Sequence, residues 1–335
     1  MSVHAVIPIP DDLQRRYRNS TERRAWLAGL PDLIDACLQQ WDLRVDLAPG
    51  QEPWNGSAGI VVPVTDDGGR PAVLKVAFPY EETLLEPLAL SLWNGQGAVR
   101  LLRSDRERCA MLLERLDAGR WLQSVPMPEA ITIWGELIRR LSIAPDERPE
   151  WAALPHIAQT AERWSDELPA DWESLGQPFD RWLLEAALEV CQTRGAVGRR
   201  SGRDVLVHSD VHYMNVLAIP EAGAGGLAYA AIDPQPTIGE AEFAVAPCLW
   251  NRIPDLSSAD PEGALWARCS DLCQAAGLDF DVARQWTVVR EVENALWYLS
   301  KPFHQGDAAR SLWVASTLAG RTLDGLPPAH ALKTL

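Results

Sequence analysis

The octapeptide HSDVHYMN, residues 208–215, places a carboxylate and a carboxamide five positions apart, directly after the apolar run Val205-Leu206-Val207. Phosphoryl transfer from a nucleoside triphosphate asks little covalent help of a protein; it asks for positioning and for charge neutralisation. One carboxylate must face the acceptor hydroxyl, and oxygen ligands must hold magnesium against the phosphates. A loop with Asp210 first and Asn215 five later does both. Asp233 ends the run LAYAAID, 18 positions after Asn215 and just before Pro234. If 204–233 folds as strand, loop, strand, hairpin turn and strand, the carboxylate at 233 leaves the hairpin beside the loop that entered it. That geometry pairs Asn215 and Asp233 as magnesium ligands, with Asp210 left to orient the acceptor.

A second group of residues suits the nucleotide. The chain has only three lysines among 31 basic residues, Lys75, Lys301 and Lys333. Arginine serves almost everywhere else, so a lysine inside the apolar strand AVLKV suggests a need for a compact ammonium. Leu74 and Val76 fall on one strand face, Val73 and Lys75 on the other. A carboxylate from the following helix would hold this lysine: Glu86 is the first choice and Glu82, one turn earlier, the second. Upstream, in a loop expected between a helix and the first strand, the small residues Gly56, Ser57 and Ala58 let backbone N–H groups approach phosphates closely. Met111, Glu114 and Leu116, at the end of an apolar run, are candidates for the linker that meets the base.

The remaining candidates concern the acceptor. His212 follows Asp210 by two, and the acidic Glu240, Glu242, Glu291 and Glu293 could receive a cationic molecule. His208 is read as a brace for the loop, because in-line transfer needs no phosphate carrier. Cys269 and Cys273, four apart on a helix without a partnering histidine, are read as core.

These groups need elements to hold them. Residues 11–47 repeat apolar positions at three and four (Trp26, Leu27, Leu30, Ile34, Cys37, Trp41), which predicts helix. GIVVPV and PAVLKVAF predict two strands joined at Asp67-Gly68-Gly69. A helix is expected over 81–93, kinked or restarted at Pro87. AVRLLR and CAMLLERL complete a small β-rich lobe over 1–116. The rest, 117–335, is expected to be mainly helical, with helices near 129–142, 156–168, 178–192, 262–276 and 281–299 around the β island at 204–233. The fold class is therefore α+β.

Composition bounds the partners. The chain has 335 residues, 47% hydrophobic and 23% charged, with a net charge of −15. That fraction is too apolar for a disordered chain, and no apolar run is long enough to span a membrane. The acidic balance opposes a nucleic-acid partner and suits a cationic small molecule. The opening MSVHAVIPIPDD lacks a basic stretch followed by an apolar core, so no secretory leader is expected. Six scattered cysteines without a C-x-x-C pair argue against a disulfide framework and for a cytoplasmic setting. A monomer and a homodimer are equally compatible with the sequence.

The order of parts (small-residue loop, strand lysine, helix glutamate, apolar linker, H-x-D-x-x-x-x-N, hairpin, Asp) is that of two-lobed kinases, with Ile232-Asp233-Pro234 in place of D-F-G. The chain resembles the aminoglycoside phosphotransferases, and within them the streptomycin/hydroxyurea phosphotransferase family. The resemblance rests on WLAGLPDLIDACLQQWDL (26–43), AVLKV (72–76), LSLWNGQGAVRLL (90–102), AMLLERLDAG (110–119), VHSDVHYMNVL (207–217) and AIDPQPTIGEAEFA (231–244). It implies a protein-kinase-like fold and transfer of the γ-phosphoryl group of ATP, with Mg2+, to a hydroxyl of an antibiotic such as streptomycin; GTP is not excluded. It also implies Asp210 as catalytic base, Asn215 and Asp233 as metal ligands, and Lys75 as the phosphate-pairing lysine. Two positions depart from the family pattern: Ser209 stands where glycine is usual, and Ala244 where an aspartate usually follows the phenylalanine. Two other readings stay open: a metabolic kinase for an amino sugar or another hydroxylated metabolite, and a nucleotide-binding protein without transfer activity.

Overall fold

The structure is a computed structural model that describes residues 7–48, 50–195, 203–220 and 228–334. The chain divides into two compact units, one running to Asp117 and the other from Ala118 to Ala218 and from Tyr229 onward.

In the first unit, helices α1 (Asp11–Tyr17) and α2 (Thr21–Gln40) precede strands β1 (Arg44–Val45), β2 (Trp54–Asn55), β3 (Gly59–Thr65) and β4 (Pro71–Ala77). Helix α3 (Glu81–Trp93) and strands β5 (Leu101–Asp105) and β6 (Ala110–Glu114) follow. The six strands form one antiparallel sheet in the order β1-β3-β4-β6-β5, with β2 also on β3. Period-two alternation sends Ile60, Val62, Val64, Leu74, Val76, Ala110 and Leu112 to one face, where they pack with Leu13 and Tyr17 of α1 and Leu30, Ile34 and Cys37 of α2. The β3–β4 turn closes as expected, with the Gly69 N–H donating to the Asp66 carbonyl at 2.9 Å and Gly69 at φ 77°.

Two expectations change here. Helix α3 runs unbroken through Pro87. The missing N–H costs only a bond to the Thr83 carbonyl in the first turn, and the Thr83 hydroxyl accepts from the Tyr80 N–H at 3.1 Å to close that end. The small-residue loop does not lie between a helix and the first strand of the sheet; it is the turn of the β2–β3 hairpin, with Asn55 opposite Ile60.

The second unit starts with β7 (Asp117–Trp121, its first residue still in the first unit), α4 (Met127–Leu141), α5 (Ile157–Ser174) and α6 (Arg181–Arg194). Strands β8 (Val205–His208), β9 (Val216–Ala218), β10 (Tyr229–Ala231) and β11 (Pro236–Gly239) come next, then α7 (Ala246–Trp250), α8 (Pro261–Ala276), α9 (Phe280–Leu299) and α10 (Gln305–Leu318). β9 and β10 pair as the expected hairpin, whose turn EAGAGG lies outside the described residues, and β7 joins the other edge of β9. β8 pairs with β11, a strand too short for its sequence to announce. Helices α4 and α8 approach closely at Gly135, where a Cβ would stand 2.5 Å from the Ala275 carbonyl carbon. Trp134, Trp286 and Trp313 fill the helical core.

Candidate active site

The loop between β8 and β9 is built around a neutral histidine. His208 is buried; its Nε2 faces the Ile232 carbonyl at 3.0 Å, and its Nδ1 accepts from the Asp210 N–H at 3.2 Å. Facing a carbonyl, Nε2 carries the proton and Nδ1 is the acceptor. Burial pushes the pKa down to about 4, so the ring stays uncharged while it braces the loop. Ser209 adds a second tie: its N–H and its hydroxyl both donate to the Gln235 carbonyl, at 3.0 and 2.7 Å. The Val211 carbonyl accepts from the Trp134 indole at 3.0 Å and from the Cys248 thiol at 3.5 Å.

On this base stand the three oxygen-bearing side chains. The Asn215 Nδ2 donates to the Asp210 carbonyl at 2.9 Å and to the Asp210 carboxylate at 3.3 Å. Its Oδ1 is thereby turned away and accepts from no described group. The Ile232 N–H donates to the Asn215 carbonyl at 2.9 Å, extending the Val216–Ala231 register by one pair. Asp233, one residue further, therefore emerges next to Asn215. It sits at φ 53° immediately before a proline, a combination that costs energy for any residue but glycine and that clusters at functional sites. The Asp210 carboxylate keeps 27% of its surface exposed, yet loss of solvation raises its pKa to about 7. Asp233 pushes it in the same direction, while Arg290 and the Asn215 hydrogen bond pull it down.

This donor set suits magnesium, which prefers few protein oxygens and takes the rest from phosphates and water. A carboxylate and an outward carboxamide oxygen stand together beside a second carboxylate whose ionisation the first opposes. A cation there would relieve that repulsion. No group of three or more His, Cys, Asp or Glu side chains that could hold a metal by themselves occurs among the described residues.

His212 comes beside Asp210, its Nε2 3.8 Å from the carboxylate. Its Nδ1 accepts from the Met214 N–H, its ring meets Trp250 edge-on at 5.6 Å, and burial lowers its pKa to about 4. The acidic acceptor candidates fare differently. Glu240 is a correction: its side chain has no exposed surface, and both oxygens are taken, by Arg194 at 3.1 Å and by the Trp286 indole at 2.8 Å. It is a buried structural pair with no oxygen left for a substrate. Glu242 accepts from the Asp279 N–H at 3.1 Å, just before α9. Glu291 is fully buried and so cannot be an open cation receptor; Asn294 donates to its Oε1 at 3.0 Å. Arg290 went unforeseen. It stacks on the Phe243 ring at 4.3 Å, donates to the Phe243 carbonyl at 2.8 Å and acts electrostatically on Asp210. Its distance in sequence from the loop gave no signal.

In the first unit, Lys75 Nζ bonds both Glu86 oxygens at 2.7 Å, and both side chains are buried. The Glu82 side chain lies outside the described set. Met111 stands opposite Lys75 on the same sheet face. In the small-residue turn, carbonyls are tied inward: Gly56 by Arg16 at 2.7 Å, Ser57 by Tyr17 at 3.3 Å, and Ala58 by the Phe78 N–H at 2.8 Å. The N–H groups of Ser57 and Ala58 donate to no described group. Gly59 admits no side chain, because a Cβ would fall 2.2 Å from the Val76 carbonyl. Glu114 is not offered outward; its carboxylate and its N–H both engage the Arg100 backbone, at 2.7 and 3.0 Å. The buried Leu116, by contrast, has no described partner for its N–H.

An antiparallel sheet unit with a buried lysine–glutamate pair, together with a helical unit carrying an Asp-x-x-x-x-Asn loop, defines a phosphotransferase of the kinase-like fold. An amicoumacin kinase solved in complex with AMP-PNP, Ca2+ and Ami shares that fold, with a TM-score of 0.52 at 12% identity, covering 97% of this chain and 98% of its own. The family model for aminoglycoside/hydroxyurea antibiotic resistance kinases matches residues 44–301. The chain is 36% identical to the streptomycin 6-kinase of Streptomyces griseus over 304 residues, 89% of this chain and 92% of that protein. It is 33% identical to the hydroxyurea phosphotransferase of Kitasatospora aureofaciens over 329 residues, 95% and 88% of the two. The chain belongs to the aminoglycoside/hydroxyurea antibiotic resistance kinase family and is a small-molecule phosphotransferase.

Proposed function

We propose that this protein inactivates an aminoglycoside such as streptomycin by moving the γ-phosphoryl group of ATP to one of its hydroxyls. The observation that carries the reading is the Ile232–Asn215 backbone bond, which sets Asp233 next to Asn215 and both beside Asp210. Asp210 orients the acceptor hydroxyl and takes its proton as the oxygen–phosphorus bond forms and the bridge to ADP breaks. Asn215 and Asp233 are the residues that would hold Mg2+, which when bound would supply charge neutralisation at the phosphates. Lys75, held by both Glu86 oxygens, neutralises the α and β phosphates. The N–H groups of Ser57 and Ala58 receive phosphate oxygens, while Met111 and the Leu116 N–H meet the base. Arg290 favours the ionised form of Asp210, which burial and the neighbouring Asp233 oppose.

The named activities of the relatives support this acceptor class, and the 33% identity to a hydroxyurea phosphotransferase supports a second, smaller acceptor. The acidic balance and the six free cysteines among the described residues fit action on a cationic substrate in the cytoplasm. No described helix is long and apolar enough to cross a membrane. ATP consumption measured against streptomycin, hydroxyurea, amino sugars and nucleosides tests the reading. Turnover is expected with streptomycin, with Asp210→Asn lowering kcat/KM by about a hundredfold or more. Undiminished turnover by that variant would remove Asp210 from the chemistry.

A further inference from the structure

Three consecutive carbonyls of the β2–β3 turn are gripped by the elements around it. Arg16, near the end of α1, donates to the Gly56 carbonyl at 2.7 Å, and the Tyr17 hydroxyl donates to the Ser57 carbonyl at 3.3 Å. The Phe78 N–H donates to the Ala58 carbonyl at 2.8 Å. Arg16 is steadied by Asp12, one helical turn back, at 3.0 Å. The same Asp12 oxygen accepts from the Asn55 amide, at the entry to the turn, at 3.2 Å. Tyr17 is 1% exposed, and its ring closes a triangle with Trp26 of α2 and Phe78, the centroids 5.7, 5.9 and 5.9 Å apart. Arg23 covers the Tyr17 ring at 4.8 Å. The hydroxyl therefore donates from a fixed place.

The grip has a direction. A trans peptide is planar, with its C=O and the N–H of the next residue on opposite sides. Both peptides of the turn are trans. Holding the Gly56 carbonyl toward α1 turns the Ser57 N–H away from it, and holding the Ser57 carbonyl does the same for the Ala58 N–H. These are the two N–H groups that donate to no described group. Leu13 and Tyr17 of α1 pack on the sheet face that carries Leu74 and Val76, and alternation along β4 puts Lys75 on the opposite face. The two N–H groups thus turn to the Lys75 side.

We propose that Arg16 and Tyr17 are positioning residues for the nucleotide, each holding one peptide of the turn so that its N–H faces the phosphates of ATP. The inference rests on the functional reading above. It adds a grip from α1, which lies ahead of residue 44, where the family match begins. A turn ordered in advance does not have to order itself around the nucleotide, so the gain falls on the phosphates and not on the base.

The test is calorimetric binding of ATP and of adenosine, with Mg2+ and without acceptor, to wild type, Arg16→Met, Tyr17→Phe and the double variant. Methionine keeps an unbranched stem with good helix propensity and phenylalanine keeps the ring triangle, so thermal midpoints should stay within about 3 °C. Each single variant is expected to raise the Kd for ATP by about threefold or more, and the double variant by about tenfold or more. The Kd for adenosine, which brings no phosphate to the turn, should shift by less than about twofold. If wild type prefers ATP over adenosine and the double variant keeps that preference, whether both affinities hold or both fall together, this inference fails alone. A wild type with no preference for ATP overturns the phosphate role of the turn in the functional reading, and this inference with it.

Discussion

The Lys75–Glu86 pair allows stability to be separated from chemistry. Two contacts of 2.7 Å join side chains only 9% and 5% exposed, on β4 and α3. Removing one partner takes from the other its bidentate counter-ion in a dry place, at a cost of about 3–5 kcal/mol. Glu86→Leu and Lys75→Met should each fall in that range, seen as a lower thermal midpoint and a lower denaturant midpoint. The double variant replaces both charges with apolar groups of similar volume, which is neutral or stabilising in comparable pairs. It should therefore recover most of the lost stability and show a coupling energy of about 2–3 kcal/mol or more. Turnover should not recover. With no ammonium to meet the nucleotide, kcat/KM for ATP should stay at least about a hundredfold below wild type. Double-variant stability equal to the sum of the single losses would show that the two charges do not compensate each other. A stable double variant with near wild-type turnover would show that the ammonium is a structural feature only.

Two other expectations are shorter. Turnover should stop in excess EDTA and return with Mg2+, and Asn215→Ala or Asp233→Ala should raise the half-saturating Mg2+ concentration by about tenfold or more; turnover persisting under chelation would refute the assignment of these ligands. Glu291, with a folded pKa raised to about 7 from 4.5, favours the folded state least when ionised, so its penalty is absent below pH 4.5, builds as pH rises and is complete above about 7. Glu291→Gln should remove it, gaining roughly 1–3 kcal/mol over wild type between pH 4.5 and 8 in urea unfolding, and a pH-independent difference would place the carboxyl in contact with water.

What could be read from the chain followed short-range rules. The β3–β4 hairpin, the Lys75 face and the Asn215–Asp233 adjacency each follow from strand alternation or from a hairpin bringing its two ends together. Glu86 was legible because the helix directly after the lysine strand carries a carboxylate that can turn back to that sheet. Long-range packing was not legible. Arg290 lies 80 positions from Asp210, and no local pattern announces that α9 turns it toward the loop. Glu240 misled for the converse reason: composition marks a glutamate as polar, but not that Arg194 and Trp286, 46 positions away on either side, bury it completely. Strand β11, only four residues long, carries too few positions for alternation to show.

The two departures from the family pattern bear on how the loop is held. Ser209, in place of glycine, does not crowd the turn; its hydroxyl is spent on the Gln235 carbonyl and ties the loop to the start of β11. Ala244, in place of an aspartate, is buried, and no described residue accepts from the N–H of the buried Val211. The loop is instead gripped through the Val211 carbonyl by two neutral donors, Trp134 and Cys248, and through His208, which burial keeps uncharged. Uncharged supports have an electrostatic consequence. A further carboxylate against this loop would add to the pressure Asp233 already exerts on Asp210, and would demand more of Arg290, the cation that opposes it. With alanine at 244, the charge felt by Asp210 is set by Asp233 and Arg290, and the loop is gripped by neutral hydrogen bonds beside all three oxygen-bearing side chains.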